Sequence, residues 1–246
     1  VSLPVVLLAD AVFHLAQPTK LLALAGISVV SNVLTLLWLR RRAGRARWPT
    51  LRLRGPQEQW GWYALLPLLL LAQGVLVSPL HFLHLPNWTS NLFRDMATNK
   101  PLILLFGCVA APVLEEVLFR GILLQGLLRN YRPAVAIGQS ALLFGVIHFN
   151  PAQSVNAALL GLLLGWLYYQ TRSLGLCIGL HALNNLLVFS AMSSRRLENA
   201  PELSQVTSIG WYLVMLVAAA GLLAGCLWWL RRLAASPATE RSVLID

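Results

Sequence analysis

At 111–121 the chain reads A-P-V-L-E-E-V-L-F-R-G: Glu115, Glu116 and Arg120 lie in a run that is otherwise apolar for more than a turn on either side. Further on, His148 closes L-L-F-G-V-I-H at 142–148, and G-L-H-A-L-N-N at 179–185 supplies His181 and Asn185. Carboxylates and imidazoles move protons in hydrolysis. Imidazole and amide N–H groups are donors for a developing oxyanion, worth a few kcal/mol each in a dry site.

The spacing brings these groups together. Glu116 and Arg120 are four apart on one helical face, with Glu first, the favourable order for a pair. Glu115 is turned about 100° from Glu116 and can point elsewhere. Pro112, one turn earlier, removes a helical hydrogen bond and can bend the helix or admit water. Glu115 lies 15 residues before Asn130, and His148 lies 15 after Pro133. On an antiparallel helix pair joined by a tight turn both reach a similar depth. Glu115 and His148 are therefore placed to meet, with His181 and Asn185 closing the site from a third helix. Each element also has a structural reading: Glu116–Arg120 as a clamp, Glu115 as a protonated, hydrogen-bonded carboxyl, each His as a satisfied polar contact.

The elements that must carry these residues are membrane spans. The 246 residues are 57% hydrophobic and 11% charged, against about 25% charged in a soluble domain. The apolar runs predict an all-α, polytopic transmembrane helical bundle of about 7–8 spans. Spans are expected at 21–39, 60–83, 101–128, 134–149, 153–169, 174–192 and 209–230. Residues 3–16 form either a short first span or an interfacial helix. Residues 84–100 read as a polar loop, Arg129–Pro133 and Arg172–Ser173 as tight turns, and the tail after 230 as polar and disordered. Gly161/Gly165 and Gly175/Gly179 are spaced for close helix packing. The organisation expected is N-terminal helices and a basic loop in 1–100, a core in 101–192, and a last helix and tail in 193–246.

The net charge of +10 does not indicate nucleic acid. The basic residues are mostly Arg at the ends of apolar runs, as in R-R-R-A-G-R-A-R at 40–47, the pattern of cytoplasmic loops. Cys108, Cys177 and Cys226 lie in apolar runs at no metal-binding spacing and read as small core residues. The start of the chain does not resemble a secretory signal. Asn87-Trp88-Thr89 fits a glycosylation sequon, relevant only in a eukaryotic secretory setting. His14, His81 and His84 read as boundary residues, and Asn184 as a cap or bridge between helices.

E-E-V-L-F-R at 115–120 resembles the E-E-x-x-x-R motif of the CPBP intramembrane endopeptidases, also called the Abi or type II CAAX protease family. F-G-V-I-H at 144–148 resembles that family's F-x-x-x-H motif, and H-A-L-N-N at 181–185 its third motif, His followed four residues later by Asn. All three occur in order within 101–192. The resemblance implies hydrolysis of a peptide bond within the membrane, near the C-terminus or a membrane-proximal part of the substrate, with bacteriocin immunity or partner binding on the same fold as the alternative. It implies that Glu115 and His148 activate water, that His181 and Asn185 hold the oxyanion, and that Glu116 and Arg120 support them. No cofactor is expected, although Glu115, His148 and His181 with a water also resemble a catalytic zinc set. H-E-x-x-H is absent, and Asn185 suits an oxyanion better than a metal. The expected partners are membrane lipids and a peptide or protein substrate, lipidated or not. The expected location is the bacterial cytoplasmic membrane.

Topology adds a tension. If Arg40–Arg47 are cytoplasmic, alternation puts Arg129/Arg132 and Arg231/Arg232 there too, and the 193–207 loop with Arg195-Arg196 outside. Glu115 then lies about 22 Å along its helix from the cytoplasmic turn. That is nearer the outer face, whereas a CAAX-type protease is expected to open toward the cytosol.

Overall fold

In a computed structural model the described residues, 17–44, 48–54, 60–193 and 207–234, form helices, with no strand among them. In chain order these are α1 (Gln17–Ala43), α2 (Trp60–Val77), α3 (Ser90–Thr98), α4 (Lys100–Leu128), α5 (Pro133–Val146), α6 (Pro151–Thr171), α7 (Leu174–Ser193) and α8 (Ile209–Ala234). The expected all-α bundle is borne out. Five helices, α1, α2 with its 3-10 extension to Leu83, α4, α7 and α8, are long and apolar enough to cross a membrane. The chain is an integral membrane protein.

Among the described residues, two more of the apolar runs form α5 and α6, one shorter and one more enclosed than these five. At 14 residues, α5 is about 21 Å long, short of the ~30 Å hydrocarbon core. Helix α6 has the length but carries Gln153, Ser154, Asn156 and Gln170. It is enclosed by its neighbours: Leu160, Leu163, Leu164, Leu167 and Tyr168 are buried, in a core with Leu69 of α2, Leu124 of α4, Leu174 and Leu180 of α7 and Leu230 of α8. Residues 3–16, His14 and the tail beyond 234 lie outside the described residues. The stretch 84–100, expected as a loop, contains α3. Its Leu92, Phe93 and Met96 face the protein while Arg94 and Asp95 are exposed. Nine residues are too few for the apolar periodicity to stand out among polar neighbours.

Two stretches of α4, Ile103–Ala110 and Val117–Leu124, are π-helical, and Glu115 and Glu116 sit on the α-helical piece between them. Pro112 accounts for the first. Its ring would meet the carbonyl four residues back in a regular helix, and the wider turn ahead of it gives room. Here Ala111 N–H donates to Phe106 O, five residues back. The next bond in that pattern would join residue 112 to Gly107 O, but proline has no N–H, so the Gly107 carbonyl is left free.

Two contacts define the ends of the bundle. At one end residues 50–54 lie across the start of α7: Leu174 and Gly175 N–H donate to the carbonyls of Arg52 and Leu53, at 2.9 and 2.8 Å, and Gln125 Nε2 donates to Thr50 O at 3.2 Å. These carbonyls satisfy first-turn N–H groups that a helix start leaves without partners. At the other end residues 86–89 clasp the α5–α6 turn. Ala152 N–H donates to Pro86 O, Trp88 Nε1 to Phe149 O, and the buried Asn150 Nδ2 to Asn87 Oδ1 and Thr89 Oγ1. The turn itself is set by Phe149 in the left-handed region (φ 50°) and by extended Asn150 before Pro151, as expected for a residue preceding proline.

Helix α6 crosses α5 through the first glycine pair. A Cβ on Gly161 would lie 3.1 Å from Ala141 Cα, and one on Gly165 would lie 3.1 Å from Ile137 Cγ2. The second pair differs: Gly175 meets the carbonyl of Leu53 in the crossing segment, not a helix. The tightest approach between α5 and α6 is at Gly145, where a Cβ would fall 2.5 Å from the backbone oxygen of Ser154. A backbone oxygen cannot swing aside, so Gly145→Ala is expected to cost about 1–3 kcal/mol. It should lower Tm in detergent, whereas Gly138→Ala, with nothing within 4 Å of its Cβ, should not. Equal Tm values for the two variants would show that α5 and α6 can part without penalty.

Candidate active site

The four residues expected to do chemistry line one cavity of about 560 Å³. Glu115 comes from the middle of α4, His148 from the α5–α6 turn, and His181 and Asn185 from successive turns of α7. His148 is not inside a span, as its run suggested. The helix stops at Val146 because the Phe149–Pro151 turn ends it. The imidazole still folds back on that helix, with Nδ1 2.8 Å from Phe144 O. A carbonyl only accepts, so Nδ1 carries the proton and Nε2 is left free.

His181 is 4% exposed and held more firmly. Its Nδ1 lies 2.8 Å from Glu116 Oε1, so this nitrogen also donates. Its Nε2 lies 3.9 Å from Glu115 Oε2. The adjacent glutamates thus address the two nitrogens of one ring. Arg120 donates from Nη1 to the same Glu116 oxygen at 2.9 Å and from Nη2 to Gly161 O at 3.2 Å. Glu116 and Arg120 are both 0% exposed. The clamp foreseen from their spacing is present, and it extends to His181, which no periodicity on α4 could signal. The Glu115 side chain is 17% exposed and faces the cavity.

The Phe144 ring holds these groups apart. It stands edge-on to His148 and His181, with centroids at 5.3 and 5.6 Å, and the Arg120 guanidinium lies 4.5 Å over it. Asn185 Nδ2 donates to Gly107 O at 2.9 Å, the carbonyl that Pro112 leaves free. Proline on α4 thereby fixes an amide on α7. One N–H of Asn185 is committed, and the other is available to a ligand. Asn184 Nδ2 donates to Asn185 Oδ1 at 3.2 Å, so it completes the amide's bonding and does not cap a helix. Neutral amides of Asn32, Gln73 and Asn156 also line the cavity. The sequence reading missed them, because a single amide in a span reads as a helix contact.

Among the described residues, no group of three or more His, Cys, Asp and Glu side chains is arranged to hold a metal ion. That applies to the zinc candidates Glu115, His148 and His181. Nδ1 of the two imidazoles is committed to Phe144 O and Glu116, and Nε2 of each is left uncommitted.

Residues 97–187 match the family model described as type II CAAX prenyl endopeptidase Rce1-like. The match spans all three motifs, and it is the family that E-E-V-L-F-R, F-G-V-I-H and H-A-L-N-N resemble. No curated protein and no solved structure matches the chain. The family match supports a CAAX-type intramembrane endopeptidase, a peptide hydrolase, in general terms.

Proposed function

We propose that the protein hydrolyses a peptide bond in a membrane-proximal segment of its substrate, with Glu115 and His148 activating water and His181 and Asn185 receiving the oxyanion. The observation that carries this reading is the convergence of these four side chains on one cavity, within the segment that matches the family model.

In this scheme Glu115, partly open to the cavity, takes a proton from water, and the water oxygen attacks the scissile carbonyl. His148 orients that water through its free Nε2. The carbonyl oxygen becomes an oxyanion and accepts the uncommitted N–H of Asn185. His181 donates from Nε2 as imidazolium, its Nδ1–H held on Glu116. The proton held by Glu115 passes to the leaving nitrogen as the C–N bond breaks, giving a carboxylic acid and an amine, and the acid then gives its proton to the amine to leave a carboxylate and an ammonium. No step requires a metal.

His148→Ala is expected to lower cleavage of a membrane-proximal peptide by about 10²-fold or more, the usual scale for a lost acid–base group, with the protein still folded. Full activity in this variant would remove the proposed mechanism. A variant that loses cleavage but keeps protection against a bacteriocin would favour the immunity reading. Stoichiometric zinc in the purified protein, with activity lost to a chelator and restored by zinc, would replace the bare carboxylate with a metal-bound water.

A further inference from the structure

The helix ends divide the charge unevenly. At the end carrying the 50–54 segment and the turns at 129–132 and 172–173, the described residues include Arg40, Arg41, Arg42, Arg52, Arg54, Arg129, Arg132, Arg172, Arg231 and Arg232, with no Asp or Glu in those stretches. At the other end, among the described residues, 17–20, 78–100, 147–152 and 207–208 carry Lys20, Arg94 and Lys100 against Asp95. The ends are fixed by contact and do not rest on a count of spans. Ser78 and Tyr212 hydroxyls meet at 2.9 Å, joining the end of α2 to the start of α8. A Cβ on Gly61 would touch Trp229, joining the start of α2 to the end of α8.

The cavity belongs to the arginine-poor end. Its walls are the last turns of α2, the 87–90 loop, α3, the start of α6 and the last turns of α7. Because α5 is about 21 Å long, the α5–α6 turn with His148 is sunk below that end, and the 86–89 loop dips to clasp it. The cavity forms a vestibule walled in part by α3, whose Phe93 packs against Phe189 of α7, ring centroids 6.0 Å apart. The vestibule wall is uncharged apart from Glu115 and its histidines, and Gln73 Oε1 is buried with no hydrogen-bond partner. An acceptor held in that way suits the N–H of an extended backbone.

Arginine-rich short loops stay in the cytoplasm. We infer that the catalytic cavity opens on the side of the membrane away from the cytoplasm, and that its substrate is an extended, uncharged stretch of polypeptide entering from that outer side. The substrate part rests on the proposed hydrolysis; the orientation does not. This also removes the tension over the depth of Glu115: the site lies toward the outer face because it is entered from there.

Single cysteines at Asn91, exposed on α3, and at Tyr131, exposed in the arginine-rich turn, report the orientation. The three native cysteines are buried, and the wild-type protein gives the background. With a membrane-impermeant maleimide, Asn91→Cys should label in intact bacterial spheroplasts, and Tyr131→Cys only after the membrane is opened. The reverse pattern would overturn the inference and leave the hydrolysis untouched. An uncharged membrane-proximal peptide reporter, tethered on either side, should be cut only when it faces outward. Cutting of the inward reporter alone would also overturn it. If labelling follows the expected pattern and neither reporter is cut, the proposed hydrolysis falls, and the assignment of a substrate with it.

Discussion

Glu115→Gln is expected to reduce peptide hydrolysis by about 10²–10⁴-fold, the range supplied by a positioned general base, while the variant purifies as a folded protein. The two halves of this expectation have separate grounds. The amide keeps the size of the carboxylate but cannot take a proton from water. Stability is spared because Glu115 holds no buried charge in place. Its nearest ionisable neighbour, His181 Nε2, is 3.9 Å away, while His181 Nδ1 stays on Glu116. Turnover of a membrane-proximal peptide should fall mainly in kcat, since the cavity that binds the peptide is unchanged, and elution on size exclusion should match the wild type. Activity within a few-fold of wild type would remove Glu115 from the chemistry.

The separation of Glu115 from Glu116 was legible in the sequence for a geometric reason. Adjacent residues on a helix diverge by about 100°, and only Glu116 has a partner four residues on. That Glu115 and His148 line one cavity accords with their equal spacing about a tight turn. What the sequence concealed lies across helices. The bond from His181 to Glu116 joins residues 65 apart, and no period links α4 to α7. The hold on Asn185 needs two facts together: a proline without an N–H and a π-helical shift that makes Gly107 O the orphan. Either alone predicts only a bend. In the fold, the runs at 134–149 and 153–169 do not reveal their neighbours, because apolar sequence is the same whether it meets lipid or protein. Hydropathy could not tell that α6 is wrapped by α5, α7 and α8, or that α5 stops short.

Arg120→Met should be the most damaging single change to stability. Arg120 is fully buried, and it answers the charge of Glu116, the carbonyl of Gly161 and the face of Phe144. Removing it leaves a buried carboxylate without its cation, a loss of about 3–5 kcal/mol when one partner of a buried pair is deleted. Its Nε has no partner and Glu116 Oε2 has none, so the pair is not a fully satisfied network, which makes its specificity more telling than its net stabilisation. Glu116→Gln/Arg120→Met should therefore recover much of the lost Tm, because the neutral amide tolerates burial and Gln Oε1 can still accept His181 Nδ1–H. Activity should not return with it: the ring would keep its orientation but lose the carboxylate to which its imidazolium form donates. Comparing Tm and kcat across wild type, Arg120→Met, Glu116→Gln and the double variant separates the two roles. A double variant that regains stability and turnover together would show that Glu116 and Arg120 only brace the bundle. A double variant that is stable but inactive would tie the buried pair, through His181, to the chemistry of the cavity.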